Sequence, residues 1–198
     1  MSTHVIAPVW GKVLTVVIAA LAALSLVSIA LGPEPVDAAQ LAPMLGLIAL
    51  ATWAIYWRPL VRIDDSGVTV RNVLRTFTVP WSAISQVETR FAFTLVADGV
   101  RIVAWAAPAP GRLAAMRVGR EDLRHLPEGT HVDGMARPGD SAGSDSGAAA
   151  YLVRTELARR AELGLPAEGA RVERRWHLGT IAAFAALGAA AFVATTFA

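Results

Sequence analysis

Cysteine is absent from this chain of 198 residues, and lysine occurs once, at position 12. The chain therefore has no disulfide framework and no thiol chemistry. This absence fits a polar domain that faces a reducing compartment, where disulfides are rare in any case.

Residues arranged for catalysis or metal binding are also lacking. The histidines are not spaced like metal ligands, and Ser66 and Ser82 have no histidine partner in a recognised nucleophile motif. Asp64 and Asp65 are typical of a hairpin turn rather than a calcium loop. The histidines are His4, His125, His131 and His177. We therefore predict no catalytic residue, no cofactor and no metal. An enzyme would require a deep pocket with convergent polar groups, which only a structure can display.

The chain also lacks a large excess of charge of one sign. The net charge of the whole chain is +2, and residues 58–177 hold 17 arginines against 14 acidic residues. A nucleic-acid-binding domain usually carries a much larger basic excess. Nucleic acid is therefore not an expected partner.

Long apolar runs, by contrast, are plentiful. Residues 13–31, 41–57 and 178–198 contain no Asp, Glu, Lys, Arg or His. At a rise of about 1.5 Å per residue, helices of this length reach across a hydrocarbon core of roughly 30 Å. We predict three transmembrane helices, with the first two forming a hairpin, and the missing charges argue against an ion or proton pathway. Ala182, Ala186 and Ala190 recur every four residues and predict a helix-packing seam, either within this set or toward a partner.

The flanks of these runs predict orientation, because Lys and Arg remain on the cytoplasmic side. The connector 32–40 has Glu34 and Asp37 but no basic residue. Basic residues lie at the opposite ends, at Lys12, Arg58, Arg62, Arg171, Arg174 and Arg175. Interfacial aromatic side chains agree, at Trp10, Trp53, Tyr56, Trp57 and Trp176. The predicted protein is a multi-pass cell-membrane protein with a cytoplasmic tail (1–12), a cytoplasmic domain and an external C-terminus.

A cleaved secretory signal is the alternative for the N-terminus. Val36 and Ala38 have the small side chains that a cleavage site uses. The preceding apolar run is longer than the roughly 7 to 15 residues of such signals. Cleavage would leave the later topology unchanged.

Residues 58–128 are predicted to form a strand-rich domain. Short segments rich in β-branched and aromatic residues cover 60–63, 68–73, 75–79, 91–97 and 100–105. Asp98-Gly99 is a hairpin signal between the last two. Residues 129–148 have the composition of a flexible linker. Apolar residues at helical spacing then predict an amphipathic helix at 149–164, with Glu156 and Arg160 paired on its polar side.

Short motifs between residues 57 and 105 give this order a family resemblance. Their sequences are Trp57-Arg58-Pro59, Asp65-Ser66-Gly67-Val68, Val70-Arg71-Asn72, Arg75-Thr76, Val79-Pro80-Trp81-Ser82-Ala83-Ile84 and Asp98-Gly99. The chain resembles the bacterial PH domains of actinobacterial membrane proteins, the family that includes the low-molecular-weight protein antigens. The resemblance implies an α+β membrane protein in which a PH-like β-barrel or sandwich is capped by a C-terminal helix. Family members have two helices before the domain, so the third run is either an addition to the family pattern or a departure from it.

The resemblance implies little about a ligand. In phosphoinositide-binding PH domains basic residues surround the first hairpin, whereas here the turn 64–67 is acidic and would repel a phosphate. Contacts to a headgroup or a partner are expected instead from Arg71, Arg75, Arg90, Arg101, Arg171, Arg174 and Arg175. Our hypothesis is a non-enzymatic membrane protein whose domain serves as a protein-binding or scaffold module for a membrane or cytoplasmic partner. The alternative is a sensor of anionic lipid at the inner leaflet, in which headgroups are contacted by Arg154, Arg159, Arg160 and the cluster Arg171 to Arg175.

Overall fold

The computed structural model describes residues 3–32, 36–109, 131–132, 135–136, 144–165 and 171–196. The chain divides into two compact units. One combines Met1–Ala7 with Pro59–Arg175, and the other combines Pro8–Arg58 with Trp176–Ala198. Within the described residues, α-helices run over α1 (Val9–Ala30), α2 (Val36–Thr52), α3 (Asp145–Glu162) and α4 (Leu178–Thr196). A π-helix, Trp53–Trp57, continues α2.

The helical unit contains three segments that are long and apolar enough to cross a membrane: Val9–Ala30, Gln40–Trp57 and Leu178–Thr196. These are the three predicted runs, so their helical character is confirmed. α2 packs against both α1 and α4. Thr15 and Thr52 are buried, and their hydroxyl groups donate hydrogen bonds to the carbonyls of Gly11 and Ile48, each at 2.8 Å. Backbone carbonyls thus satisfy these hydroxyls within each helix.

The packed face of α4 differs from the predicted seam. Ala182, Ala186 and Ala190 are exposed. Leu187, one position after Ala186, faces α2 instead. Its side chain lies 3.4 Å from the position that a Cβ on Gly46 of α2 would occupy. The seam prediction is therefore wrong for packing within the three helices, because the 3.6-residue period turns those alanines away from α2. A role toward a partner stays a prediction.

The other unit is built from two main sheets. Its strands are β1 (His4–Ile6), β2 (Leu60–Asp64), β3 (Gly67–Arg71), β4 (Arg75–Pro80), β5 (Ile84–Glu88), β6 (Ala92–Ala97), β7 (Val100–Pro108), β8 (His131–Val132), β9 (Met135–Ala136) and β10 (Glu173–Trp176). One sheet has the order β1-β2-β3-β4-β10, and the second has the order β5-β6-β7. β8 and β9 pair only with each other in the described residues.

Alternation along the strands builds one core between the sheets. Side chains two residues apart face the same side of a strand, and the inward ones are apolar. They include Val61, Ile63, Val68, Val70, Phe77, Val79, Phe93, Leu95 and Ile102. α3 adds Ala149, Ala150 and Val153 to the same cluster. The predicted capping helix is therefore confirmed in its place on the core.

The tight turns follow the predicted chemistry. Asp98 and Gly99 adopt φ values of 49° and 74° and join β6 to β7, as the Asp-Gly signal predicts. Gly67 begins β3 with φ 152°, and an added Cβ there would lie 2.2 Å from the carbonyl oxygen of Val79. Glycine at 67 is what lets β4 approach so closely.

The α+β class is confirmed, but a closed barrel is not formed. The five-stranded and three-stranded sheets share no ladder in the described residues. β10 pairs with β4 and extends the first sheet, and a 3₁₀ turn at Trp81–Ala83 separates β4 from β5. Pro80 ends β4 and has no N–H to donate. The two layers are thus a sandwich, and it has an open corner where the start of β4 and Arg174 of β10 face β7.

Several elements escape the sequence patterns. β1 lies inside the predicted tail 1–12, and β5 and β10 lie in segments without strand-like alternation. α3 begins at Asp145, inside the predicted linker 129–148, because the Ser144 side chain accepts a hydrogen bond from the Gly147 N–H at 3.0 Å. Residues 131–132 and 135–136 of that linker form the small ladder. Residues 110–128 of the predicted domain, and the remainder of the linker apart from Ser144, lie outside the described residues.

Candidate functional site: a cleft between the two sheets

The open corner of the sandwich forms a cleft of about 370 Å³. Its floor is the buried pair Phe77 and Ile102, the latter only 1% exposed. Its rim includes the exposed apolar side chains Leu74, Val103 and Trp105, and Trp105 is 57% exposed. The cleft thus combines buried apolar side chains with exposed ones at its border.

Asn72 shapes one wall of the cleft. It follows β3, and its N–H donates to the Arg75 carbonyl at 2.9 Å to close the turn into β4. Its side-chain amide donates to the carbonyl of Val103 at 2.8 Å and accepts from the N–H of Trp105 at 3.0 Å. Alternate residues of a strand direct their backbone groups to the same edge. One side chain therefore takes the place of a neighbouring strand on the outer edge of β7.

Three of the predicted arginines meet at this cleft. Arg75 and Arg174 come from β4 and β10, and Arg101 comes from β7. The guanidinium of Arg75 lies 5.6 Å from the centre of the Phe77 ring, and Arg101 forms an ion pair with Glu88 at 2.6 Å. The cleft thus combines an apolar floor with a cationic rim.

The other four predicted arginines do not line the cleft. Arg71 ends β3. Arg90 lies in the turn between β5 and β6, with its guanidinium 5.0 Å from the ring centre of Phe91. Arg175 lies on β10 and Arg171 precedes that strand. As contact residues for a headgroup or a partner, all seven arginines stay predictions.

Sequence reasoning missed the cleft itself. Asn72 and Trp105 were not candidates, because neither belongs to a ligand-binding motif and their relation depends on two strands far apart in sequence. Residue type alone gives one signal, since an asparagine just beyond a strand often bonds to nearby backbone. That rule does not name the distant strand β7.

The turn Asp64–Gly67 is a separate, acidic feature. One carboxylate oxygen of Asp64 accepts from the Ser66 N–H at 3.0 Å and from the Ser66 hydroxyl at 2.6 Å. These bonds, the hydroxyl first, lower the pKa of Asp64 below its usual value although partial burial opposes them. The turn therefore stays negatively charged, which agrees with the argument against a phosphate at this hairpin.

An ionic cluster centred on buried Glu156 links α3 to the β2–β3 turn and to Trp81. Glu156 is only 4% exposed and accepts from Arg159 at 2.6 and 2.8 Å and from Arg160 at 2.8 Å. Arg160 also donates to the Asp65 carbonyl at 2.9 Å and lies 5.1 Å from the ring centre of Trp81. The predicted Glu156–Arg160 pair is confirmed, but Glu156 is buried rather than on a solvated face. Hydrogen bonds from Arg159, then Arg160, lower the pKa of Glu156 to about 2 against the effect of burial.

In the part of the chain that the structure describes, no three His, Asp or Glu side chains are grouped to hold a metal ion. The absence of a metal, a cofactor and catalytic residues stays a prediction from the sequence.

The strand-rich part of the chain matches one known protein family. The model of the bacterial PH domain family matches residues 58–141. The comparisons with curated proteins and with solved structures found no match. The chain therefore carries a bacterial PH domain, as its motifs indicate. The finer likeness to the antigen-type actinobacterial members stays a prediction.

Proposed function

We propose that this protein is a non-enzymatic, multi-pass membrane protein whose PH domain binds a protein partner at the cytoplasmic face and so acts as a scaffold. The observation that carries the proposal is the cleft at the open corner, where Leu74, Val103 and Trp105 are exposed beside a cationic rim. Exposed apolar side chains grouped in this way are typical of interaction sites. Tethering to the bilayer would raise the local concentration of the domain near membrane complexes.

The topology of the first sheet supports the proposed arrangement in the membrane. β1 pairs antiparallel with β2, with His4 opposite Ile63 and Ile6 opposite Val61. Between these two strands the chain passes through α1 and α2. The chain leaves the sheet after β1, passes through two helices and returns to the same sheet at β2. If both helices cross the membrane, the number of crossings between these strands is even. This favours a tail and a domain on one side, as the positive flanks predict.

The same pairing argues against a cleaved N-terminal signal. Cleavage after Ala38 would remove β1, and with it the strand that pairs with β2. The edge of β2 would then present unpaired backbone groups, which folded proteins usually cover. An uncleaved first helix is therefore part of the proposal.

Cross-linking in native membranes tests the protein-binding role. A photoreactive amino acid placed at Val103 or Leu74 should trap the same neighbouring protein, because both side chains border the cleft. The same group at Thr78, which is exposed on β4 and does not line the cleft, is the matched control. A neighbour trapped equally from all three positions, or from none, would remove the cleft as the binding surface.

Anionic lipid is the second candidate ligand of this protein. The observation in its favour is β10, where exposed Arg174 and Arg175 precede the start of α4 at Leu178 by only a few residues. Such basic residues next to a membrane helix attract acidic headgroups. Nanodiscs with and without phosphatidylglycerol test it: Arg175 should be protected from amide exchange only in the acidic bilayer, and equal exchange rates would exclude this role.

A further inference from the structure

We propose that the cleft recognises an acidic, extended segment of the partner protein that inserts one large apolar side chain between two carboxylates. This inference rests on the proposed function and names the chemistry of the partner.

The size of the cleft limits what enters. A volume of about 370 Å³ lies near the lower end of the 300–1,000 Å³, roughly, that small-molecule pockets span. The floor offers only Phe77 and Ile102. One large side chain and its neighbours fill such a space, so the fit is to a short chain segment rather than to a broad folded surface.

The edge of β7 limits how that segment binds. A peptide that added a strand would need the outward backbone groups of β7. At Val103 and Trp105 the amide of Asn72 already occupies them, at 2.8 and 3.0 Å. Recognition at this place therefore depends on side chains, through apolar insertion and charge.

The charge around the cleft selects the partner. The described lining of the cleft holds three basic side chains, Arg75, Arg101 and Arg174, and no acidic one, while Glu88 pairs with Arg101 from outside the lining. The set carries a net positive charge, and planar guanidinium groups bind carboxylates through paired hydrogen bonds. Trp105 beside them supplies the exposed aromatic surface that often dominates binding energy. A segment with acidic residues on both sides of a leucine or phenylalanine complements this arrangement.

Peptide binding to the full chain tests the inference. The chain is placed in nanodiscs of neutral phosphatidylcholine, and anisotropy is measured for a fluorescein-labelled nonapeptide in which glutamate and leucine alternate. We expect saturable binding that weakens several-fold when salt is raised from about 50 to 300 mM. The matched peptide with lysine in place of glutamate should not bind. Equal binding of both peptides, or no binding of the glutamate peptide at about 1 mM, would overturn the inference.

Variants locate the binding in the cleft. Arg75→Gln and Arg174→Gln should each weaken binding by about two- to fivefold, as expected for charges at a rim. Trp105→Ala should weaken it about tenfold. Arg90→Gln is the matched control, since Arg90 is an arginine outside the cleft. Arg75→Lys and Arg174→Lys keep the charge but lose the planar pair of donors, so they should weaken binding less than the Gln variants but still measurably. Unchanged binding by an Arg75→Gln/Arg174→Gln double variant that still folds would refute the site.

Two outcomes separate this inference from the proposed function. If Val103 and Leu74 trap a neighbour in membranes but the glutamate peptide fails to bind, the acidic segment is wrong and protein binding stands. If the peptide binds and neither position traps a neighbour, the scaffold role is wrong and the chemistry of the cleft stands. Displacement of the peptide by phosphatidylglycerol in the nanodisc, lost in the double variant, would assign the cleft to lipid and overturn the inference.

Discussion

The side chain of Asn72 accepts a hydrogen bond from the backbone N–H of Trp105 at 3.0 Å, across a separation of 33 residues. With its second bond, to the Val103 carbonyl, it joins the end of β3 to the outer edge of β7. The two sheets share no ladder in the described residues. Asn72 is thus one of the polar links across the open corner of the sandwich.

Asn72→Ala should lower the free energy of unfolding of the domain by about 1 kcal/mol, since both bonds are solvent-exposed. It should also increase self-association, because the edge of β7 gains unpaired backbone groups. Amide exchange at Trp105 and light scattering measure the two effects. Asn72→Asp keeps the acceptor but loses the amide donor, so the Trp105 N–H should stay protected while the hydrogen bond to the Val103 carbonyl is lost. An Asn72→Ala protein with unchanged exchange at Trp105 would contradict the link.

Gly67→Ala should destabilise the domain far more than Gly99→Ala. At Gly67 the new Cβ would lie 2.2 Å from the Val79 carbonyl oxygen, whereas at Gly99 nothing lies within 4 Å. Both residues have positive φ. We expect Gly99→Ala to lower the free energy of unfolding by about 1 kcal/mol through backbone strain. Gly67→Ala should lower it by roughly 3 kcal/mol or more, because steric overlap adds to the strain there. Equal losses, measured by amide exchange of the core strands, would count against the close approach of β4.

Acid should loosen α3 through Glu156. Its pKa is lowered from 4.5 to about 2 by Arg159 and Arg160, so its contribution to stability is complete above about pH 4.5 and is lost as the pH falls toward 2. Amide exchange of α3 between pH 6 and 2.5, corrected for intrinsic rates, should show this loss. Glu156→Gln should remove that part of the pH dependence, while Glu162→Gln, at an exposed position of the same helix, should retain it. If amide exchange of α3 depended on pH in the same way in the Glu156→Gln protein, Glu156 would be excluded as the cause.

Gly11→Ala should disturb the helical unit, whereas Gly188→Ala should not. A Cβ on Gly11 would lie 2.6 Å from the Tyr56 carbonyl oxygen in the π-helix, and one on Gly188 would meet nothing within 4 Å. Overpacking at the first site should cost about 1–3 kcal/mol. Thermal unfolding in detergent compares the two variants. Equal midpoints would show that α1 does not approach Tyr56 so closely.

The proposed orientation predicts which introduced thiols react from outside the cell. The chain has no native cysteine to compete. A membrane-impermeant maleimide applied to intact cells should label Thr196→Cys, at the end of α4, but not Gln86→Cys, exposed on β5. After permeabilisation both should react. Labelling of Gln86→Cys in intact cells would reverse the topology.

Local patterns predicted the elements whose cause is local. Residues 13–31 and 178–198 are apolar over the length of a membrane helix, so helices were expected there. The structure has α1 at Val9–Ala30 and α4 at Leu178–Thr196. Asp98-Gly99 predicted its hairpin because few other pairs adopt positive φ twice without strain. The motifs between residues 57 and 105 likewise indicated the PH family that matches residues 58–141.

The elements that were missed have causes that lie far away in the chain. β1 is three residues long and forms only because β2, more than fifty residues later, offers an edge. β10 is exposed along its whole length, so no alternation marks it. Glu156 looked like a solvated helix residue, and its burial depends on where α3 lies against Asp65 and Trp81.

The amino-acid sequence alone determined three apolar helices, a strand-rich PH domain between the second and third, and the absence of disulfides. These follow from hydrophobic length, turn chemistry and composition, which act over a few residues. Only the tertiary structure decided that the barrel stays open, that Asn72 bonds to the edge of β7, and that Arg75, Arg101 and Arg174 share one cleft. Those features depend on which strand edges pair across long loops, and that choice is made by the whole core rather than by any one segment.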